Sequence, residues 1–166
     1  MRTKIYLRWC LYSILFSAIY FQFFIDAHAA QYASITIEPT PATQMRSDSH
    51  VIVDVFLQNT AGHVLQIKDG PARGLYIVDV RDRAGTEAKL TMTGKNLYGG
   101  ADVFSEGHFT TLWLRPGQVV REEINVGEIY DLTQPGTYTI QLSRRFDDGS
   151  GPRYIRSKPI SVTVRQ

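Results

Sequence analysis

Short stretches of alternating apolar and polar residues recur from residue 34 to the end of the chain, and turn residues separate them. Ile35 and Ile37, for example, alternate with Ser34 and Thr36. A period of two places apolar side chains on one face of a β-strand. The pattern recurs in segments 51–57, 64–67, 76–81, 109–114, 120–126, 138–142 and 160–164, and a further short strand is predicted near residues 90–92. Eight or nine strands joined by such turns predict an all-β, antiparallel β-sandwich, with a small barrel as the alternative.

The first 29 residues have the layout of a secretory signal peptide. Arg2, Lys4 and Arg8 precede an uncharged, apolar run over Trp9–Ile25, and Ala27-His28-Ala29 supplies an A-x-A cleavage site. The alternative is an uncleaved anchor, but the apolar run is short of the roughly 20 residues that a spanning helix needs. We therefore predict a signal peptide at 1–29 and a single domain at 30–166. The domain is expected in the periplasm or outside the cell, without stable membrane insertion after cleavage.

Cleavage would change the charge and the cysteine content. The full chain has 18 Lys+Arg and 16 Asp+Glu; residues 1–29 hold three of the former and one of the latter, which leaves 15 of each. A mature chain of zero formal charge gives no reason to expect a nucleic-acid partner. Cys10, the single cysteine, would leave with the signal, so a packed core must stabilise the domain without disulfides.

Motifs for catalysis, metals or cofactors are missing from the sequence. His50, His63 and His108 do not have the spacing of a metal site, and no G-x-S-x-G surrounds a serine. Adjacent residues of a strand point to opposite faces, so Glu122 and Glu123 do not form an acid–base pair. We predict a protein that is not an enzyme and has no catalytic, metal or cofactor-binding residues.

The second half of the chain resembles an immunoglobulin or fibronectin type III-like module. The segment Leu114-Arg-Pro-Gly-Gln118 matches the turn before a strand, and Pro-Gly-Thr-Tyr-Thr-Ile-Gln-Leu at 135–142 matches the strand entry of such modules. It is most similar to the bacterial intracellular proteinase inhibitor family and to the domain preceding deuterolysin-like metalloproteases. The resemblance implies an immunoglobulin-like sandwich in which Pro135-Gly136 turns the chain. It also implies that the Tyr138 hydroxyl bonds upstream backbone as a tyrosine corner.

A glycine-rich stretch at 94–108 has no sustained period and is predicted to be a long loop. Aromatic residues on a loop beside a rigid sheet are typical of contact surfaces. The candidate partner-binding residues on and beside the loop are Tyr98, Phe104, Phe109 and Trp113. The alternative is that these aromatics fold back to cover the edge of the sandwich.

Basic residues concentrate on the last predicted hairpin and form a second candidate surface, namely Arg144, Arg145, Arg153 and Arg156, with Lys158 beside them. Such a patch could face an anionic partner. The alternative is a solvated edge strand that its charges protect from aggregation.

The sequence therefore predicts an exported binding module whose partner is another protein or an envelope component. A secreted protease inhibitor is the second hypothesis, and a hydrolase with a dispersed site is the third. A sandwich hosts many unrelated functions, so inhibition does not follow from the resemblance.

Overall fold

The computed structural model describes residues 32–40, 51–70, 75–98, 110–147 and 152–165. The predicted signal peptide lies outside these residues. The described part holds nine strands: β1 (Ala33–Pro39), β2 (Ile52–Asn59), β3 (Leu65–Asp69), β4 (Tyr76–Arg81), β5 (Thr110–Leu114), β6 (Val119–Asn125), β7 (Gly136–Asp147), β8 (Pro152–Arg156) and β9 (Ile160–Val164). Two short helices are α1 (Met92–Tyr98) and α2 (Val126–Ile129).

All strand pairs are antiparallel, and the strands form three sets. The first sheet has the order β1-β2-β6, and β3 pairs with β5 in a two-stranded ribbon. In the second sheet β4 pairs with one side of β7, while β8 and β9 pair with successive parts of its other side. The predicted all-β, antiparallel sandwich is confirmed.

The core lies between the sheets and follows the alternation in the sequence. In β2, Val53, Val55 and Leu57 are buried, and Ile140 and Leu142 of β7 are fully buried in the same hydrophobic cluster. Burial of a single such side chain contributes roughly 1.5–3 kcal/mol, and one contiguous set of 27 buried apolar residues fills the sandwich.

The predicted short strand near residues 90–92 is wrong, and so is the first part of the predicted loop at 94–108. Helix α1 begins at Met92 because the Thr91 hydroxyl accepts a hydrogen bond from the Gly94 amide at 3.0 Å, which caps the helix N-terminus. Gly94 is buried directly against the Ile129 carbonyl, where any Cβ would clash. Leu90 makes only an isolated bridge, with Tyr130. Residues 99–109 lie outside the described residues.

Candidate functional site

An open groove of about 570 Å³ runs along one side of the sandwich, between β1 and the consecutive strands β8 and β9. Its size is within the range of roughly 300–1,000 Å³ that is typical of ligand sites. Strand β1 contributes five consecutive residues, 33–37, so the groove is elongated along the strand. The opposite side consists of Gln141, Tyr154, Ile155, Arg156, Lys158 and Ile160.

Strand β1 is an edge strand, and its register determines which main-chain groups face the groove. It pairs with β2 on one side, and no described strand pairs with its other side. The Thr40 amide donates to the Ile52 carbonyl at 3.2 Å, in register with the rest of the β1–β2 pair. Because successive residues direct their main-chain groups to alternate sides, Ala33, Ile35 and Ile37 point their N–H and C=O groups away from β2. The free edge of β1 therefore offers main-chain donors and acceptors along the groove.

Strand β1 also approaches the second sheet at this edge. Cα atoms of β1 come within 8 Å of Cα atoms on β7 as well as on β8 and β9. The groove lies where the edge of β1 faces β8 and β9.

The rim of the groove is positively charged and its floor is apolar. Arg156 and Lys158 are exposed, and neither makes an ion pair within the described part of the chain. Tyr154 is 39% exposed, although it is a large aromatic residue. Ile155 is buried and Ile160 half-buried. Arg156 and Lys158 are the only charged residues among the described residues that line the groove, and this composition favours an anionic ligand.

Arg144 does not belong to a surface patch, which corrects one of the predicted basic residues. It is 2% exposed, and its guanidinium lies 4.9 Å from the centroid of the Tyr76 ring. One nitrogen donates to the Tyr76 hydroxyl at 2.8 Å and approaches both carboxylate oxygens of Glu122 at 3.4 Å. Another donates to the carbonyl of Lys68. Arg144 thus connects β7 to strands β3, β4 and β6.

This cluster of Arg144, Glu122 and Tyr76 stabilises the fold. Burial raises the pKa of the Tyr76 phenol far above its ordinary value, and the positive charge of Arg144 opposes that rise only in part. A neutral phenol accepts the arginine hydrogen bond, and Glu122 balances the charge. Because Tyr76 is fully buried and Arg144 nearly so, a substrate has no access to them.

The other predicted basic residues lie on the surface, around the groove. Arg145 is exposed, as is Arg156 on the rim. Arg153 is half-buried and lies 5.3 Å from the centroid of the Tyr32 ring, next to the start of β1. Three of the four predicted arginines therefore lie on the β7–β8 hairpin surface, and one of them lines the groove.

Two of the four predicted aromatic residues, Tyr98 and Trp113, are among the described residues. Trp113, on β5, is 60% exposed. Tyr98 is half-buried at the end of α1, where its hydroxyl accepts from the Val78 amide at 3.2 Å, so Tyr98 covers β4. Phe104 and Phe109 lie outside the described residues. Of the two candidates that the structure describes, only Trp113 exposes most of its aromatic side chain to solvent.

The predicted structural residues lie at the start of β7. Gly136 begins the strand directly after Pro135. Tyr138 is 8% exposed, and its hydroxyl donates to the Gln134 carbonyl, four residues upstream, at 2.9 Å. This is the bond that the resemblance implies for a tyrosine corner.

Two further features concern metals and membranes. Among the described residues, no group of three or more His, Cys, Asp or Glu side chains could hold a metal ion. Within the same residues, no helix has the length and apolar character needed to cross a membrane.

Sequence reasoning missed most of the groove, including Tyr154 and all of β1. Pro39 is the signal that could have indicated it. Proline lacks the amide that an inner strand needs, so it marks the strand containing it as an edge strand.

Comparison with known proteins gives a distant likeness to a solved structure. No family model and no curated protein sequence matches the chain. The crystal structure of the protein described as ApaA from Bordetella pertussis is similar over 81% of this chain and 93% of its own. The sequence identity is 12% and the TM-score is 0.44.

Proposed function

We propose that this protein is an exported binding module with an immunoglobulin-like sandwich, and that it binds a segment of another protein in the groove between β1 and β8–β9. The observation that carries the proposal is the edge of β1 that no described strand pairs, where main-chain groups of three residues face an elongated groove. Edge strands bind extended peptides by main-chain pairing in several unrelated classes of domain.

The rim residues support a binding role over a purely structural one. Tyr154 and Arg156 are of the types that contribute most to protein interfaces, and both flank the groove. A protease inhibitor presents a protruding segment to a cleft, whereas this groove is shaped to receive one. The geometry therefore supports a receptor for a peptide segment better than an inhibitor.

A phage-displayed library of random decapeptides tests the proposal. Mature protein should enrich a subset of peptides, and Thr36→Trp should abolish their binding because a large side chain at this exposed position of β1 obstructs the groove. The matched control is Thr111→Trp, at an exposed position of β5. Both variants must keep the thermal midpoint of the wild type within a few degrees.

Two results would contradict the proposal. One is a library that yields no enriched peptide. The other is a set of enriched peptides that Thr36→Trp still binds and Thr111→Trp does not, which would transfer the site to the surface around Trp113.

A further inference from the structure

We infer that the ligand of the groove is an acidic, extended peptide segment that adds to the edge of β1 as an extra strand. This inference rests on the proposed function and specifies the chemistry and the binding mode of the partner. Three independent features of the groove lead to it: the main-chain groups of β1, the charge of the rim and the apolar floor.

The main-chain groups determine the binding mode. Ala33, Ile35 and Ile37 present N–H and C=O groups at every second residue, and this spacing matches the alternate residues of an added strand. Five residues of β1 line the groove, and at about 3.3 Å per residue they pair with a segment of similar length. Glu38 and Pro39 follow directly. Since proline has no amide, pairing along the edge ends at Ile37.

The groove supplies the space for the added segment. Its volume of about 570 Å³ lies between β1 and the consecutive strands β8 and β9. Apolar side chains of the segment would contact Ile155 and Ile160, which line the groove, and its acidic side chains would lie toward the charged rim.

Charge determines which segment binds. Arg156 and Lys158 flank the groove on the side opposite β1, and no carboxylate is among the described lining residues. Acidic side chains on the segment would lie near these two cations, whereas lysine or arginine would be repelled. In a segment of alternating apolar and acidic residues, the apolar side chains can contact the floor while the acidic side chains lie near the two cations of the rim.

The test uses fluorescein-labelled decapeptides with blocked ends, titrated with the mature protein by fluorescence anisotropy. A peptide of alternating valine and glutamate should bind, and its valine–lysine counterpart should bind at least roughly tenfold more weakly. The double substitution Arg156→Glu and Lys158→Glu reverses the charge of the rim. It should lower the affinity for the acidic peptide by roughly five- to tenfold. Arg115→Glu, on an exposed turn outside the groove, is the matched control and should leave the affinity unchanged.

Backbone methylation tests the binding mode separately from charge. Two versions of the acidic peptide carry N-methyl groups either on all valine amides or on all glutamate amides. An added strand points alternate amides toward β1, so one version should lose binding and the other should keep it. Equal loss, or no loss in either version, would overturn strand addition.

The outcomes distinguish this inference from the proposed function. If the enriched library peptides are neutral or basic and Thr36→Trp abolishes their binding, the groove is the binding site but the inference of an acidic partner is wrong. If the acidic peptide binds Thr36→Trp as well as wild type, the groove itself is wrong.

Discussion

The Arg144 guanidinium donates a hydrogen bond to the Tyr76 hydroxyl at 2.8 Å and also lies 4.9 Å from the centroid of the same ring. The two residues belong to neighbouring strands, β7 and β4, and are directly opposite each other in the register. A buried charge is costly unless its partners compensate for it, and here Tyr76, Glu122 and a backbone carbonyl do so.

Removal of Arg144 should therefore destabilise the protein strongly. Arg144→Met leaves Glu122 without its partner in a site where only 14% of the side chain is exposed, at an expected cost of about 3–5 kcal/mol. The double variant Arg144→Met/Glu122→Leu should recover most of that loss, because no charge then remains buried. Urea unfolding measures both, with Arg145→Met at the exposed neighbour as control. A double variant less stable than the single variant would contradict the interpretation.

Tyr138 should stabilise the start of β7 through its hydroxyl. Tyr138→Phe removes the 2.9 Å bond to the Gln134 carbonyl and should cost about 1–3 kcal/mol. Tyr138→Ala should cost more because it also leaves a cavity. The measurement is the shift in denaturant midpoint at constant slope. The same midpoint for Tyr138→Phe and wild type would exclude a role for the hydroxyl.

Alkaline pH should destabilise the fold through its buried tyrosines. Burial raises the pKa of Tyr76, Tyr98 and Tyr130 above the ordinary value of 10.0. In the unfolded chain these phenols ionise near pH 10, whereas in the folded state they stay neutral. The stability that this difference supplies is fully present below pH 10 and is lost as the pH rises toward the folded pKa values.

Chemical unfolding at a series of pH values from about 9 to 12 measures this loss. Tyr130→Phe should flatten the dependence, because one of the raised groups is gone, and it should lower the stability at neutral pH by leaving the Val78 carbonyl without its 2.8 Å bond. A stability that does not change over this range would show that the phenols are not held neutral by the fold.

Trp113 should report on the surface without contributing to the core. It is the only tryptophan once residues 1–29 are removed, because the other is Trp9. Its emission should be that of a solvated indole and should be quenched readily by iodide, since 60% of the residue is exposed. Trp113→Ala should change the unfolding free energy by less than about 0.5 kcal/mol, whereas Leu114→Ala, at the fully buried neighbour, should cost about 2–5 kcal/mol. A blue-shifted, unquenched emission would contradict this placement.

The alternation of apolar residues was sufficient to predict the sheets. It placed Val53, Val55 and Leu57 on the buried face of β2, and the same period extended along β7. The same alternation also predicts that Arg144 is buried. It follows Ile140 and Leu142 at intervals of two residues, so its side chain lies on the same buried face of β7. A charged residue in phase with an apolar face indicates a buried, partnered charge, and this reasoning was available from the sequence alone.

Two other features depend on contacts between distant parts of the chain. Helix α1 depends on the Thr91 cap and on the packing of Gly94 against Ile129. The helix has only seven residues, which is too short for hydrophobic periodicity to predict it. The groove joins β1, near the start of the domain, to β8 and β9 at its end. Only the arrangement of the two sheets brings Arg156 beside the free edge of β1.

The most direct test of the central claim is an amide chemical-shift titration of ¹⁵N-labelled mature protein with the acidic valine–glutamate decapeptide. The account predicts the largest shifts at Ala33, Ile35 and Ile37, whose amides face the groove, with smaller shifts at Arg156 and little change along β5. Shifts concentrated around Trp113 on β5, with the β1 amides unchanged, would contradict it.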